Sequence, residues 1–343
     1  MAISGVKRKF PVAIILGGLA CLTALIPWAL PLPERTVEYF YSRRVFPTIS
    51  HIAGRIADFL LVVWMDVWIV AGLLILLYSL RRRNWRLPLG IASAVYLIFF
   101  WGWGLNYHRL PIEFRLGLGE VSNPSMEEFS RFSATTTSAV NRLWPAASRQ
   151  ELTEASSEAI AREAARRVRQ VILEIDGTEW EGASRIKHSY LADLWLHAAG
   201  IDGIFSPLPH EPLLAGGISS VERPFLAAHE LAHVYGIADE GDANFVAFLA
   251  TVGSEDILFQ YSGAFETWMR LGSSPEMLDP GPRRDLQMVF DRIRSQEIAL
   301  VSNFQTALLD SHLKANGVPS GVKSYSRYIN LAIATRSRWG NFQ

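Results

Sequence analysis

Long uncharged apolar runs dominate the first third of the chain, and helical amphipathic spacing dominates the rest. Residues 11–32, PVAIILGGLACLTALIPWALPL, carry no charge over the length of about 20 residues that crosses a hydrocarbon core. The run is longer than a signal-peptide apolar region, and more apolar segments follow it, so a retained anchor is expected instead of a cleaved signal. Residues 59–80, FLLVVWMDVWIVAGLLILLYSL, predict a second span, interrupted only by Asp66. A lone acid there is more simply a group packed on a neighbouring helix or reaching water than a functional intramembrane carboxylate. Residues 89–106, LGIASAVYLIFFWGWGLN, predict a third, ending among Trp101, Trp103 and Tyr107 as at a membrane interface.

Beyond residue 107 the pattern changes. Residues 126–175 are rich in Ala, Glu, Arg and Gln, and EAIAREAARRVRQVILEI spaces its apolar positions helically, which predicts scaffold helices stopped at Asp176-Gly177. Pro207, Pro209, Pro212, Gly216 and Gly217 predict a loop over 203–223, with room for a short edge strand. Pro224 then opens a helix that Gly236 closes, and another begins near Asp239. The expected architecture is mainly α: a membrane domain over 1–107 with three transmembrane helices, then a helical extramembrane domain over 108–343.

Composition narrows the function. The chain is 50% apolar, and its 33 basic and 33 acidic residues cancel, so no bulk field recruits nucleic acid. Cys21 is the only cysteine and lies in an apolar run, which excludes disulfide frameworks, thiolate metal sites and thiol nucleophiles. Basic residues Lys7 to Lys9 before the first run, and Arg81 to Arg83 with Arg86 after the second, place those flanks in the cytoplasm. The segment after the third run is then extracytoplasmic, although Arg35, Arg43, Arg44 and Arg55 in the outer loop argue the other way.

The candidate chemistry lies in HELAHVYGIADEGDANF, residues 229–245. In a helix His229 and His233 share one face and can hold one Zn2+, with Glu230 placed as the catalytic base that addresses a metal-associated water. Without a third ligand this is only an amphipathic helix with two histidines. Glu240, Asp242 and Asp239 all follow the glycine turn. H-E-x-x-H-x-x-G-x-x-D spacing makes Asp239 the ligand, whereas E-x-x-A-N makes it Glu240 on a second helix, with Asn244 bracing it or capping that helix. Arg223 before the motif and the acids after it leave too short an apolar run for a site inside a membrane span.

These segments, with GIDGIFSPLPHEP, WGLNYHRLPIEF and VEYFYSRRVFPTIS, resemble the bacterial membrane proteins grouped as domain of unknown function 3810. The resemblance implies a zincin-like, gluzincin-type fold and a metallopeptidase with metal ligands His229, His233 and Glu240. Glu240, Ala243, Asn244 and Phe245 match the family's E-D-E-A-N-F; Gly241 and Asp242 depart from it. It also matches Glu211, which with His210 is a candidate for lining a cleft, although a lone His in a Pro-rich loop is more simply solvated. Arg327, Tyr328 and Tyr325 are weaker candidates for oxyanion donors than for helix packing. The expected function is a zinc-dependent hydrolase anchored to the bilayer, its catalytic domain outside it, cleaving membrane-proximal or envelope peptide substrates. The alternative is an inactive relative that binds a partner or senses a signal.

Overall fold

A computed structural model describes residues 12–29, 32–59, 62–150, 154–181, 185–315 and 327–336. Helices dominate it. The first third contains α1 (Val12–Ala29), the short α2 (Glu34–Thr36) that continues through a π-helical stretch (Val37–Val45) into α3 (Phe46–Phe59), then α4 (Trp64–Arg82) and α5 (Arg86–Gly102). A 3-10 turn (Gly104–His108) and α6 (Ile112–Arg115) lead into α7 (Met126–Ala147), α8 (Glu154–Asp176) and α9 (Tyr190–Ala199). After a hairpin of β1 (Gly203–Ser206) and β2 (Glu211–Leu214) come α10 (Arg223–Val234), α11 (Glu240–Val252), α12 (Ile257–Leu271), α13 (Pro280–Gln296), α14 (Ala299–Ala315) and α15 (Arg327–Ala334).

The membrane expectation needs correction. Among the described residues only α4, with 19 residues, is long and apolar enough to cross a bilayer. At 1.5 Å per residue it reaches about 28 Å, close to a hydrocarbon core. The apolar helices Val12–Ile26 and Arg86–Gly102 are shorter. The third predicted span ends early because the chain turns inward at Trp103, and Trp103, Leu105 and Asn106 are buried in the body of the protein. Trp103 is 5% exposed, against 49% for Trp101, so the aromatic cluster predicted at an interface is split between surface and core. Asp66 accepts from the Ser189 hydroxyl and from the Leu191 amide at 3.3 Å, which packs α4 against the start of α9.

The body is built around α10, which packs against α8, α11, α12 and the hairpin. Phe225, Leu231, Phe245, Phe259 and Phe265 are essentially inaccessible and form its centre. The hairpin occupies part of the predicted 203–223 loop. Its strands pair antiparallel, from Gly203 opposite Leu214 to Ser206 opposite Glu211. Its prolines obscure the strand pattern, and Pro212, with no N–H to donate, takes part through its carbonyl, which accepts from the Lys187 amide at 3.0 Å. The ends of α7 and α8 are set locally: Ser125 makes a capping box with Glu128 on α7, and Gly177, at φ 70°, follows α8 at the predicted stop.

Candidate metal centre

The H-E-x-x-H segment forms the second half of α10, and the turn after it determines the geometry. Gly236 has φ 79°; its amide donates to the His233 carbonyl at 3.0 Å, and the Ile237 amide to the Ala232 carbonyl at 3.1 Å. This Schellman turn suits glycine for a second reason: a Cβ at Gly236 would lie 2.7 Å from the Phe46 ring. The turn returns the Ile237 carbonyl to His233, whose Nδ1 donates to it at 2.6 Å. His233 is thereby held with Nε2 directed away from that carbonyl. Trp103 adds a hydrogen bond from its indole to the His233 carbonyl at 3.1 Å.

Two residues later Asp239 caps α11, its carboxylate accepting from the Asp242 amide at 2.9 Å. This starts α11 so that Glu240 faces α10. His229 Nε2 lies 3.1 Å from His233 Nε2 and 3.1 Å from Glu240 Oε2, and His233 Nε2 lies 3.5 Å from the same oxygen. His229, His233 and Glu240 form a largely buried group that could hold a metal ion, with one ligand atom from each within 4.8 Å of the others. The donors fit zinc. Bonds of 2.0–2.2 Å in a tetrahedron give donor separations of about 3.4 Å, close to the three observed edges.

Electrostatics favours metal-ready protonation at two of the three. Burial pushes the pKa of His229 down, favouring the neutral imidazole that binds metals. Burial opposes charge on Glu240 too, but His233 and the hydrogen bonds from both imidazoles outweigh it and hold the carboxyl well below its usual range. His233 is raised to about 9, the pull of Glu240 exceeding the cost of burial, so a metal must displace a proton there.

The other predicted residues divide clearly. Glu230 is 4% exposed, and burial raises its pKa to about 8. It packs against β1, where a Cβ on Gly203 would lie 2.5 Å from its Oε1. Asp242 pairs instead with Arg327 at 2.9 Å and Arg115 at 3.5 Å, and Asp239 has Arg327 at 3.5 Å. Asn244 is buried within α11, and the capping role belongs to Asp239. Arg327 is committed to Glu113, Asp239 and Asp242; Tyr328 is fully buried; Tyr325 lies outside the described residues.

His210 is not solvated. It is 4% exposed and bonds to the Ser50 hydroxyl at 2.8 Å. Glu211 is fully buried and accepts from the Trp64 and Met65 amides, both at 3.1 Å, capping α4. Tyr107 was not singled out for the site by sequence. Burial and the charges of Glu240 and Asp239 raise its pKa, and its hydroxyl lies 3.5 Å from His312 Nε2. Its place after a predicted span read as an interface anchor, and no spacing rule links position 107 to 240.

Residues 41–333 match the family described as protein of unknown function (DUF3810). The chain belongs to this family. The match covers the hairpin, α10 and α11, and therefore the whole His229, His233, Glu240 group. No curated protein and no solved structure matches the chain.

Proposed function

We propose that this DUF3810 protein is a membrane-anchored zinc hydrolase, a zincin-like metallopeptidase acting on peptide bonds of membrane-proximal or envelope substrates. The observation that carries the reading is the near-tetrahedral spacing of His229 Nε2, His233 Nε2 and Glu240 Oε2, with Glu230 next to His229 on the same helix. Bound there, Zn2+ would supply a Lewis acid and lower the pKa of a coordinated water to about 7. Glu230, next to His229 on α10, would be the general base for that water. His233 is kept in one tautomer by the Ile237 carbonyl, and Asp239, through its cap on α11, keeps Glu240 aimed at the imidazoles.

The membrane placement belongs to the same proposal. Exposed Leu73, Leu74 and Leu77 on α4, Leu19 and Leu22 on α1, and Ile98 on α5 form an apolar surface suited to lipid. Arg81 to Arg83 assign that end of α4 to the cytoplasm and the metal group to the extracytoplasmic side. A multi-pass arrangement follows if α1 and α5 cross beside α4. A domain division after residue 107 follows the same reading.

Elemental analysis of the detergent-purified chain beside His229→Ala and Glu230→Gln tests this. About one zinc per chain is expected in wild type and Glu230→Gln and none in His229→Ala, with peptide-library cleavage lost in Glu230→Gln. Wild type that takes up no zinc on reconstitution refutes the reading. The burial of Glu230 beneath Gly203 favours one alternative, a metal-holding protein that binds a partner without turnover. Zinc uptake with no cleavage by wild type would select it.

A further inference from the structure

A cavity of about 960 Å³ lies between α8, residues 185–188, the segment after β2 and the start of α10. It is not the metal group seen from another side. Ala227 is the residue that α10 contributes from its middle, and at 100° per residue it points about 160° away from His229.

Its lining is basic in a chain whose formal charge is zero. Arg162, Arg166 and Arg169 follow one another along a face of α8; Arg185 and Lys187 stand opposite; Arg223 opens α10. Only Asp58 and Glu158 oppose these six from within the lining. Glu158 serves Arg162 at 3.2 Å and Arg185 at 3.8 Å, Glu163 pairs with Arg166 at 2.6 Å, and Glu211 with Lys187 at 2.5 Å. Arg223 stands outside these pairs. Arg223 has no carboxylate within ion-pair distance among the described residues. Its Nη1 donates to Ser157 at 2.9 Å, and its Nε is buried with no partner. A partly buried guanidinium lacking a counter-charge is costly, and an anion entering the cavity would relieve that cost. Ser157 and Arg223 lie in the first turns of α8 and α10, so two helix dipoles add to the attraction.

Position narrows the ligand. Lys187 Nζ donates to the carbonyls of Ala57 in the last turn of α3 at 2.7 Å and of Val62, just before the N-cap of α4, at 2.9 Å. The cavity therefore lies near the N-terminal end of α4, the one helix among the described residues long and apolar enough to cross a bilayer, and the ends of a spanning helix are where phosphate headgroups lie. Arginine forks match phosphate oxygens, and Ile160, Ala165, Leu214 and Ala215 offer apolar wall for the carbon skeleton attached to them.

We propose that this cavity binds a phosphate ester, with Arg223 as its central ligand and the α8 arginines closing over it. Two sources share that chemistry: the headgroup of an anionic phospholipid and a soluble phosphate monoester. The full-length protein in uncharged micelles is titrated with phosphatidylglycerol or phosphatidylcholine, and separately with glycerol 3-phosphate or glycerol, with bound ligand counted by native mass spectrometry. Wild type should prefer the anionic member of at least one pair by about tenfold or more, the worth of a charge-assisted hydrogen bond. Preference in the lipid arm assigns the headgroup, and preference only in the soluble arm assigns the free ester.

Arg223→Met should remove the preference. Arg162→Glu with Arg185→Glu should do the same without risk to the core, since those side chains are 70% and 48% exposed. Arg81→Met with Arg82→Met, at the far end of α4, should leave it unchanged. Equal binding within both pairs overturns the proposal, as does a preference that survives Arg162→Glu/Arg185→Glu or one that falls equally in the Arg81→Met/Arg82→Met control. Zinc content should be the same in all these variants, which separates this site from the metal group.

Discussion

His210 shows how far a single side chain can depart from what its neighbours in sequence suggest. It occupies a left-handed position, φ 57°, buried beside Phe46 and Phe205 and bonded to Ser50. Burial lowers its pKa to about 4. Below pH 6.5 the unfolded chain gains a proton that the folded imidazole refuses, so stability falls from pH 6.5 towards 4 and is flat in this contribution above 6.5. The full loss is about 3 kcal/mol. His210→Asn keeps a residue tolerant of that backbone and should flatten this part of the profile in denaturant unfolding at pH 7.5, 5.5 and 4.5. Parallel profiles for the two proteins would rule out His210 as the source. Nothing in SPLPHEP could reveal this, because the decisive partner, Ser50, is 160 residues away. The clustering of His229, His233 and Glu240 was legible for the opposite reason: they are brought together by one helix, one glycine turn and one capped helix, all local devices. Gly203 belongs to the site yet could not be recognised, since its contact with Glu230 depends on the hairpin. Gly203→Ala should cost about 1–3 kcal/mol through overpacking. By displacing Glu230 it should reduce peptide cleavage while the zinc content stays that of wild type.

At the scale of elements, helices were legible where boundary residues and apolar period agreed, as at Asp239, Gly236 and Gly177. Hydropathy alone overestimated the spans, because an apolar run that packs against protein and one that faces lipid have the same composition. Trp103 to Asn106 is the instructive case: apolar enough to extend a span, but recruited into the core through the Trp103 bond to His233. The clearest device holding α4 in place is equally invisible from its own sequence. Glu211 reaches the amides of Trp64 and Met65 from β2, setting a negative charge against the helix N-terminus. Lys187, 11% exposed, pairs with it at 2.5 Å. Glu211→Gln would leave that ammonium without its partner, and breaking a buried pair from one side costs about 3–5 kcal/mol. The expected result is a lower unfolding midpoint, partly restored by adding Lys187→Met. Failure of the second change to recover any stability would show that the cap, and not the ion pair, dominates.

Across the whole molecule the balanced count of 33 and 33 charges conceals an internal network. Arg109 grips Glu38 at 2.8 Å and Asp176 at 3.1 Å; Arg115 joins Asp176 at 3.4 Å to Asp242 at 3.5 Å; Arg327 closes on Asp242 at 2.9 Å. The network links the segment before α3, the end of α8 and α11, which carries Glu240, so the region between the apolar helices is tied to the body that holds His229 and His233. Its partners are 61 to 127 residues apart in sequence, beyond the reach of any local pattern. Burial alone would raise the pKa of Glu38, but Arg109, with help from Arg115 and Arg43, lowers it to about 2. A carboxyl depressed from 4.5 contributes stability that is present above pH 4.5 and lost as pH falls towards 2. In Arg109→Met the balance tips towards burial, and the Glu38 pKa should rise. At pH 7 the variant should be less stable by about 3–5 kcal/mol, as for other buried pairs broken from one side. As pH falls through 5, Glu38 in the variant accepts a proton and ceases to be a buried charge, while wild type only begins to lose its own contribution. The stability gap should therefore narrow with acid. Glu38→Gln added to Arg109→Met should narrow it at pH 7 as well, because the neutral amide removes the uncompensated charge. Unfolding of the three proteins in denaturant at pH 7, 5.5 and 4.5 measures this, and a gap constant across that range would mean that Arg109 acts through packing and its bond to the Gly236 carbonyl at 3.0 Å instead of through Glu38.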